Sequence, residues 1–220
     1  CRAFASMCTS PWVWALAFVM PPPPLPWAAW PLPWNMEGLS RVERVVAFLE
    51  HLPVTSGTLA GTSFRVRGWQ REFLDAVYAM DGESRPVRTA VLSMARKNGK
   101  SGLAAGLALC HLAGPESEPR GQVYSAANDR AQAGLIFNEM VAIIQAVPFL
   151  DERLSIKAHA KEILNMADGS VYAALSSDVG TKHGLSPSFS IYDELGQAPK
   201  RDLFDALDTA MGARRDPLMM

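Results

Sequence analysis

Hydrophobic positions recur along this chain at two spacings, and the switching between them predicts helices separated by short strands. Ser40-Arg41-Val42-Glu43 has the form of a capping box, and Val42, Val45, Val46 and Leu49 then fall on one helical face, with Pro53 stopping the helix. A loop through Gly57 and Gly61 leads to a second helical pattern, Trp69, Phe73, Ala76, Val77 and Met80, which ends at Asp81-Gly82. Small and apolar residues from Gly102 to Leu112 predict a third helix, whose glycines and alanines suit close packing on a sheet; Gly114-Pro115 breaks it. The strongest helical period runs from Asp129 to Val147 through Ala133, Ile136, Phe137, Met140, Val141, Ile144 and Val147, and Pro148 ends it. Leu203, Phe204, Leu207, Ala210 and Met211 mark a last amphipathic helix.

Between these lie runs with strand character: Thr89 to Ser93, Gln122 to Ala126, and Phe189 to Tyr192. Glu162 to Met166 and Ser170 to Leu175 flank Ala167-Asp168-Gly169, a hairpin signal, and a polar loop, Ser176 to Ser188, follows. Strands alternating with helices, with no internal repeat, predict an α/β fold, a three-layer domain with a largely parallel central sheet.

Residues 1–35 break this order. They hold five of the six tryptophans and eight of the sixteen prolines, with Arg2 as the only charge. The apolar run Trp12 to Met20 mimics a short signal peptide, but Pro21 to Pro24 follow without a clear cleavage site, and the run is too short to span a bilayer. A proline-rich ligand for an aromatic groove is the functional alternative. We read residues 1–35 as a leader outside the domain, upstream or wrongly translated and loosely packed, with the domain occupying 36–220 and Met36 its first acceptable start.

Composition narrows the function classes. A chain of 220 residues with 49% hydrophobic content supports one sizeable core. A net charge of −1 provides no global basic field, so any DNA contact is local or arises in an assembly. Cys110 sits in an apolar helical run and is expected to be a buried free thiol, which suits a reducing cytoplasm. His51, His111, His159 and His183 have no metal-ligand spacing with one another or with cysteine.

Candidate chemistry lies at strand ends. Met94-Ala95-Arg96-Lys97-Asn98-Gly99-Lys100-Ser101 joins the run ending at Ser93 to the Gly102 helix. A strand, a tight loop ending Gly-Lys-Ser and a helix make an anion cradle: backbone N–H groups and the helix N-terminus face phosphate, Lys100 adds charge, and the Ser101 hydroxyl is a Mg²⁺ ligand. Met94 stands where the usual loop has its first glycine, and a bare Gly-Lys-Ser also occurs in ordinary turns. Asp193 and Glu194 end the apolar run from Phe189, where carboxylates are costly unless they bind something. In phosphate-loop ATPases such an Asp holds Mg²⁺ through water and a following Glu polarises the attacking water; an acidic pair opening a loop is the plain alternative. Gln70 offers a donor and an acceptor that suit an adenine edge, as against a solvated helix start. Lys182 and His183 are candidates to face phosphate or DNA from a loop that is otherwise simply solvated. Arg214 and Arg215 are read as complementing the last helix dipole rather than as an arginine finger.

Taken together, these residues resemble the ATPase domain of the large terminase subunit of tailed bacteriophages, the motor that packages DNA into the capsid. The resemblance rests on Trp69-Gln70, on the deviant loop Arg96-Lys97-Asn98-Gly99-Lys100-Ser101, and on Val123 to Ala133. Gly184-Leu185-Ser186-Pro187 and Ala210 to Arg215 extend it, over about residues 37 to 220. It implies ATP and Mg²⁺ as cofactors, with Gln70 reading adenine. Arg96, Lys97, Asn98, Gly99, Lys100 and Ser101 would hold the phosphates, Ser101 and Asp193 the metal; Glu194 is implied as the catalytic carboxylate and Arg96 as the γ-phosphate sensor. Double-stranded DNA, the portal protein and the small terminase subunit are the implied partners, in a homo-oligomeric ring in the host cell cytoplasm, with no membrane. The family continues into a coupling segment and a nuclease domain, so a chain stopping at Met220 reads as a fragment without nuclease activity. Two alternatives stay open on sequence: another phosphate-loop ATPase such as a helicase, and an inactive prophage remnant.

Overall fold

The structure is a computed structural model that describes residues 32–95, 98–127, 130–176, 184–198 and 200–220. The leader before Leu32, and Arg96, Lys97, Asp129, Lys182 and His183, lie outside the described residues.

Ser40 caps the first helix, α1 (Arg41–His51), as its sequence predicts: its hydroxyl accepts from the Glu43 amide at 3.3 Å and the Glu43 carboxylate accepts from the Ser40 amide at 2.7 Å. α2 (Gly68–Val77) is shorter than its pattern suggested. It buries Gln70, Leu74 and Val77, while Ala76 and Met80 are exposed, so the inward face is rotated from the expected one. α3 (Lys100–Ala113) and α4 (Arg130–Ala146) match their expected spans closely. Pro148 ends α4 and also opens a short helix, α5 (Pro148–Asp151), at the position where its missing N–H costs nothing.

Among the described residues, six strands form one sheet: β1 (Gln122–Ala127), β2 (Leu154–Lys157), β3 (Glu162–Asn165), β4 (Val171–Ser176), β5 (Phe189–Tyr192) and β6 (Leu218–Met219), in the order β2-β3-β4-β1-β5-β6. The expected hairpin is present as the antiparallel pair β3 and β4, and β2, which the sequence pattern did not single out, pairs antiparallel with β3. The sheet is therefore mixed, with a parallel half formed by β4, β1, β5 and β6. The run from Thr89 to Ser93 joins that half through a single parallel bridge, Thr89 to Met219, rather than a continuous ladder. β6 thus lies between the acidic strand and the strand that feeds the phosphate loop.

Period-two alternation sorts side chains into two cores. Val123, Tyr172, Phe189, Ile191 and Leu218 point into the larger one, under α1, α2, α3 and α4. Tyr124, Ala173, Tyr192 and Met219 point into the smaller one, under α6 (Asp202–Ala210) through Leu203, Phe204 and Leu207. These are the three layers. The small residues of α3 serve a helix as well as the sheet: a Cβ on Gly106 would lie 2.7 Å from Leu49 Cδ2, so glycine there lets α1 approach. Cys110 is a buried free thiol as expected, and the neighbouring His111 stacks on Phe189 at 4.1 Å and meets the Tyr78 hydroxyl at 2.9 Å. Burial holds the His111 imidazole well below its ordinary pKa, so it packs as a neutral ring.

Packing extends to residues before the boundary drawn at residue 36. Leu32 and Trp34 are buried, Trp34 at 4% exposure, while Met36 is exposed. Trp34 packs edge-on against Phe48 at 5.0 Å, His51 at 5.8 Å and Phe149 at 5.9 Å, joining α1 to α5. Composition groups Trp34 with the proline-rich leader, but its contacts belong to the core. Replacing a buried aromatic by alanine costs about 3–5 kcal/mol. Trp34→Ala is expected to lose that much in denaturant unfolding, and a chain started at Met36 to lose at least as much; equal midpoints for these variants and the parent would show that the contact carries no stability.

Candidate active site

The parallel strands end at one edge of the sheet, and the side chains at those ends converge. At Gly99 the loop enters α3 with φ +79° and ψ 20°, a left-handed conformation that costs an L side chain about 1–2 kcal/mol. Among the described residues no side chain caps α3, which leaves its first-turn N–H groups suited to an anion. The Lys100 ammonium donates to the Met94 carbonyl at 2.8 Å, folding the lysine back over the loop at the position where the usual motif has glycine. Asn98 braces the same turn by donating from Nδ2 to the Ala95 carbonyl at 3.2 Å. Ser101 is exposed in the first turn of the helix.

The acidic pair comes from β5. The Tyr192 amide donates to the Met220 carbonyl at 2.7 Å and the Asp193 amide to the Ala126 carbonyl at 2.8 Å, so the strand end is tied on both sides. Glu194 then turns out with φ 55° and ψ 38°, a conformation uncommon for a residue with a Cβ. Asp193 is half-buried. Burial, and after it the neighbouring Glu194 charge, raise its pKa; the Glu194 backbone amide and the Lys100 ammonium pull the other way. Glu194 is exposed.

One cavity of about 560 Å³ brings these groups together: Met94, Lys100, Ser101, Asp193 and Glu194 all line it, over a floor that includes Leu103 and Ile191. Among the described residues, the Lys100 ammonium shares this space with two carboxylates, a serine hydroxyl and the N-terminus of α3. Hard oxygen donors beside a cation and free amides fit a divalent metal bound together with phosphate. Sequence reading missed the part of Met219 and Met220, which also line the cavity; a two-residue strand after Pro217 is too short to show a period.

Other candidates fall elsewhere. Gln70 does not line this cavity; it is 2% exposed, and its Oε1 accepts from the Arg67 amide at 2.8 Å, which makes it a cap for α2. Arg214 and Arg215 follow the 3-10 turn Met211–Ala213 that continues α6, with Arg214 at its C-cap. Arg214 forks onto Ser186, Glu118 and Arg120, whereas Arg215 reaches Glu83 at 3.0 Å on the surface.

Comparison with known proteins agrees with this geometry. The family model "Terminase large subunit, ATPase domain" matches residues 68–220. The terminase large subunit of Enterobacteria phage HK97 is 41% identical over 187 residues, which is 83% of this chain and 36% of that protein. The crystal structure of the HK97 large terminase superposes with a TM-score of 0.73 at 40% identity, covering 82% of this chain and 37% of that one. The large terminase ATPase domain of Thermus phage P74-26 superposes with a TM-score of 0.53 at 18% identity over 71% of this chain and 69% of that one, a likeness of fold. This chain thus spans little more than a third of the length of its HK97 relative. A helicase assignment finds no support in these matches, and the chain belongs to the ATPase-domain family of terminase large subunits, whose reaction is ATP hydrolysis.

Proposed function

We propose that this chain is the ATP-hydrolysing part of a phage DNA-packaging motor, and that the reaction takes place in the cavity shared by Lys100, Ser101, Asp193 and Glu194. That shared cavity is the observation that carries the reading. Lys100 exchanges its Met94 carbonyl for the β- and γ-phosphates, and the free amides at the start of α3 hold the same anion. Ser101 and Asp193 would hold Mg²⁺, which would offset the charge of the transferring phosphoryl group. Glu194, exposed at the cavity wall, orients a water and accepts its proton. Arg96 and Lys97, outside the described residues, complete the phosphate loop by family resemblance, with Arg96 facing the γ-phosphate. On the same ground the partners are double-stranded DNA, the portal and the small terminase subunit, the assembly a ring, and the location the host cytoplasm. No helix among the described residues is long and apolar enough to cross a membrane.

The adjacent carboxylates have separable roles. Asp193→Asn is expected to weaken Mg-dependent ATP binding as well as turnover, whereas Glu194→Gln keeps Mg-ATP affinity and slows hydrolysis by about two to four orders of magnitude. Lys100→Ala weakens nucleotide binding by about 2–3 kcal/mol through loss of a charge-assisted contact. Calorimetry with single-turnover hydrolysis checks all three; equal affinity in wild type and Lys100→Ala, or normal hydrolysis by Glu194→Gln, would refute the assignment.

A pH effect follows from Asp193. Its folded pKa lies above the unfolded one, so the native state holds the proton more tightly and loses stability as pH rises from the ordinary carboxylate range through the raised value. Without metal or nucleotide, Asp193→Asn is expected to melt higher than wild type at neutral pH, the difference closing as pH falls below the ordinary carboxylate range. A difference independent of pH would assign the gain to another cause.

Adenine reading by Gln70 is tested against its capping role. Gln70→Ala should lose about 1 kcal/mol of stability with the cap and should also narrow the gap between ATP and GTP in competition binding. A stability loss with the gap unchanged leaves Gln70 as a cap alone.

A further inference from the structure

β5 and β6, whose ends line the cavity, and their neighbour β1 are fastened together at their opposite ends by one side chain. Arg214 stands four residues before β6 and is largely buried, with 19% of its side chain exposed. Its Nε donates to both the carbonyl and the hydroxyl oxygen of Ser186 at 2.9 Å, three residues before β5. Nη2 donates to the Arg120 carbonyl at 3.1 Å, two residues before β1, and Nη1 meets Glu118 Oε1 at 2.7 Å in the same approach. One planar guanidinium therefore spans the entries of β1, β5 and β6, which a flexible ammonium with a single point of charge does not do.

Beyond this clamp the strands align row by row. Val123 pairs with Phe189 and Phe189 with Leu218; Tyr124 pairs with Ser190 and Ser190 with Met219. The far ends of the same strands bear Ala127, Asp193 and Met220. From Phe189 to Asp193 is about 13 Å at strand rise, so Arg214 touches no group in the cavity. β6 has only two residues and β5 four, too few ladder bonds to hold a stagger firmly by themselves.

We infer that Arg214 is a positioning residue for the catalytic edge: by pinning the entries of β1, β5 and β6 it sets how far each strand reaches, and hence where Asp193 stands relative to Lys100 and Ser101. This deepens the ATPase reading and rests on it. Ser186 is the key acceptor, because it precedes the acidic strand and its own amide is also held, by Gln122 Oε1 at 2.7 Å.

The experiment compares the full chain with Arg214→Gln, which keeps part of the stem but loses the fork, and with the milder Arg214→Lys, which keeps the charge toward Glu118. Two readouts are taken: amide exchange at Tyr192 and Asp193, and single-turnover ATP hydrolysis set against metal-free ATP affinity. In Arg214→Gln the two amides should exchange about tenfold faster or more. Turnover should fall about a hundredfold, as for a displacement of about 1 Å, with metal-free affinity changed by no more than about twofold. Arg214→Lys should fall between, and it decides the matter by the same criteria if Arg214→Gln does not fold. Unchanged exchange at both amides, or hydrolysis and metal-free affinity falling by one common factor, overturns the inference. Faster exchange in the variants of a wild type that itself does not hydrolyse ATP leaves the clamp standing and removes the ATPase reading instead.

Discussion

Parallel pairing of β1, β5 and β6, extended to Thr89 by one bridge, is the constraint on which the site depends. Parallel strands leave a sheet at the same edge, and buried strand interiors admit no unpaired charge, so charged residues gather where the strands exit. Lys100 and the Asp193–Glu194 pair are far apart in the chain. They share a cavity because Asp193 follows a parallel strand and the run before Lys100 is bridged alongside it, with β6 filling the gap between them with two apolar residues rather than a bulky element.

The polar groups at this edge suit a ligand. Among the described residues, Asp193 and Glu194 share the cavity with the Lys100 ammonium, which donates to a main-chain carbonyl, and Asp193 sits where burial resists its ionisation. Glu194 adds a left-handed backbone to that cost. Local departures of this kind, paid for by a well-packed core elsewhere, are typical of sites shaped for binding rather than for stability. A metal–phosphate complex would complement this edge, with a cation beside Asp193 and an anion beside Lys100 and the first turn of α3.

The opposite edge is built for fastening. Arg214 ties strand entries, and a second group links α1 to the segment before β6: Arg41 pairs with Glu116 and with Asp216, each at 2.6 Å, while the buried Arg85 donates to the Asp216 carbonyl at 2.8 Å. Buried arginine pairs add little net stability over apolar packing but hold geometry, since breaking one partner strands the other charge. The division places rigid polar contacts at one end of the strands and ligand-seeking groups at the other.

Much of this was legible along the chain, because helical period and capping act over a few residues. Ser40 and Glu43 announce α1, the apolar stripe announces α4, and the glycine at 99 with the lysine and serine after it announces the anion cradle; each is a local property that folding preserves. Pairing across the sheet is not local. Nothing in Leu154–Lys157 or Leu218–Met219 distinguishes a strand from a loop until neighbours supply hydrogen bonds, so β2, β6 and the mixed sheet emerge only in three dimensions. The same holds for side chains whose role is set by distant partners. Trp34 resembles its proline-rich surroundings yet packs on Phe48 and Phe149, Gln70 turns its oxygen to its own helix, and Arg214 leaves the helix end to clasp Ser186. Sequence alone singled out candidates for the chemistry; tertiary structure decided which of them meet, because hydrogen-bond geometry and burial depend on partners that spacing along the chain does not reveal.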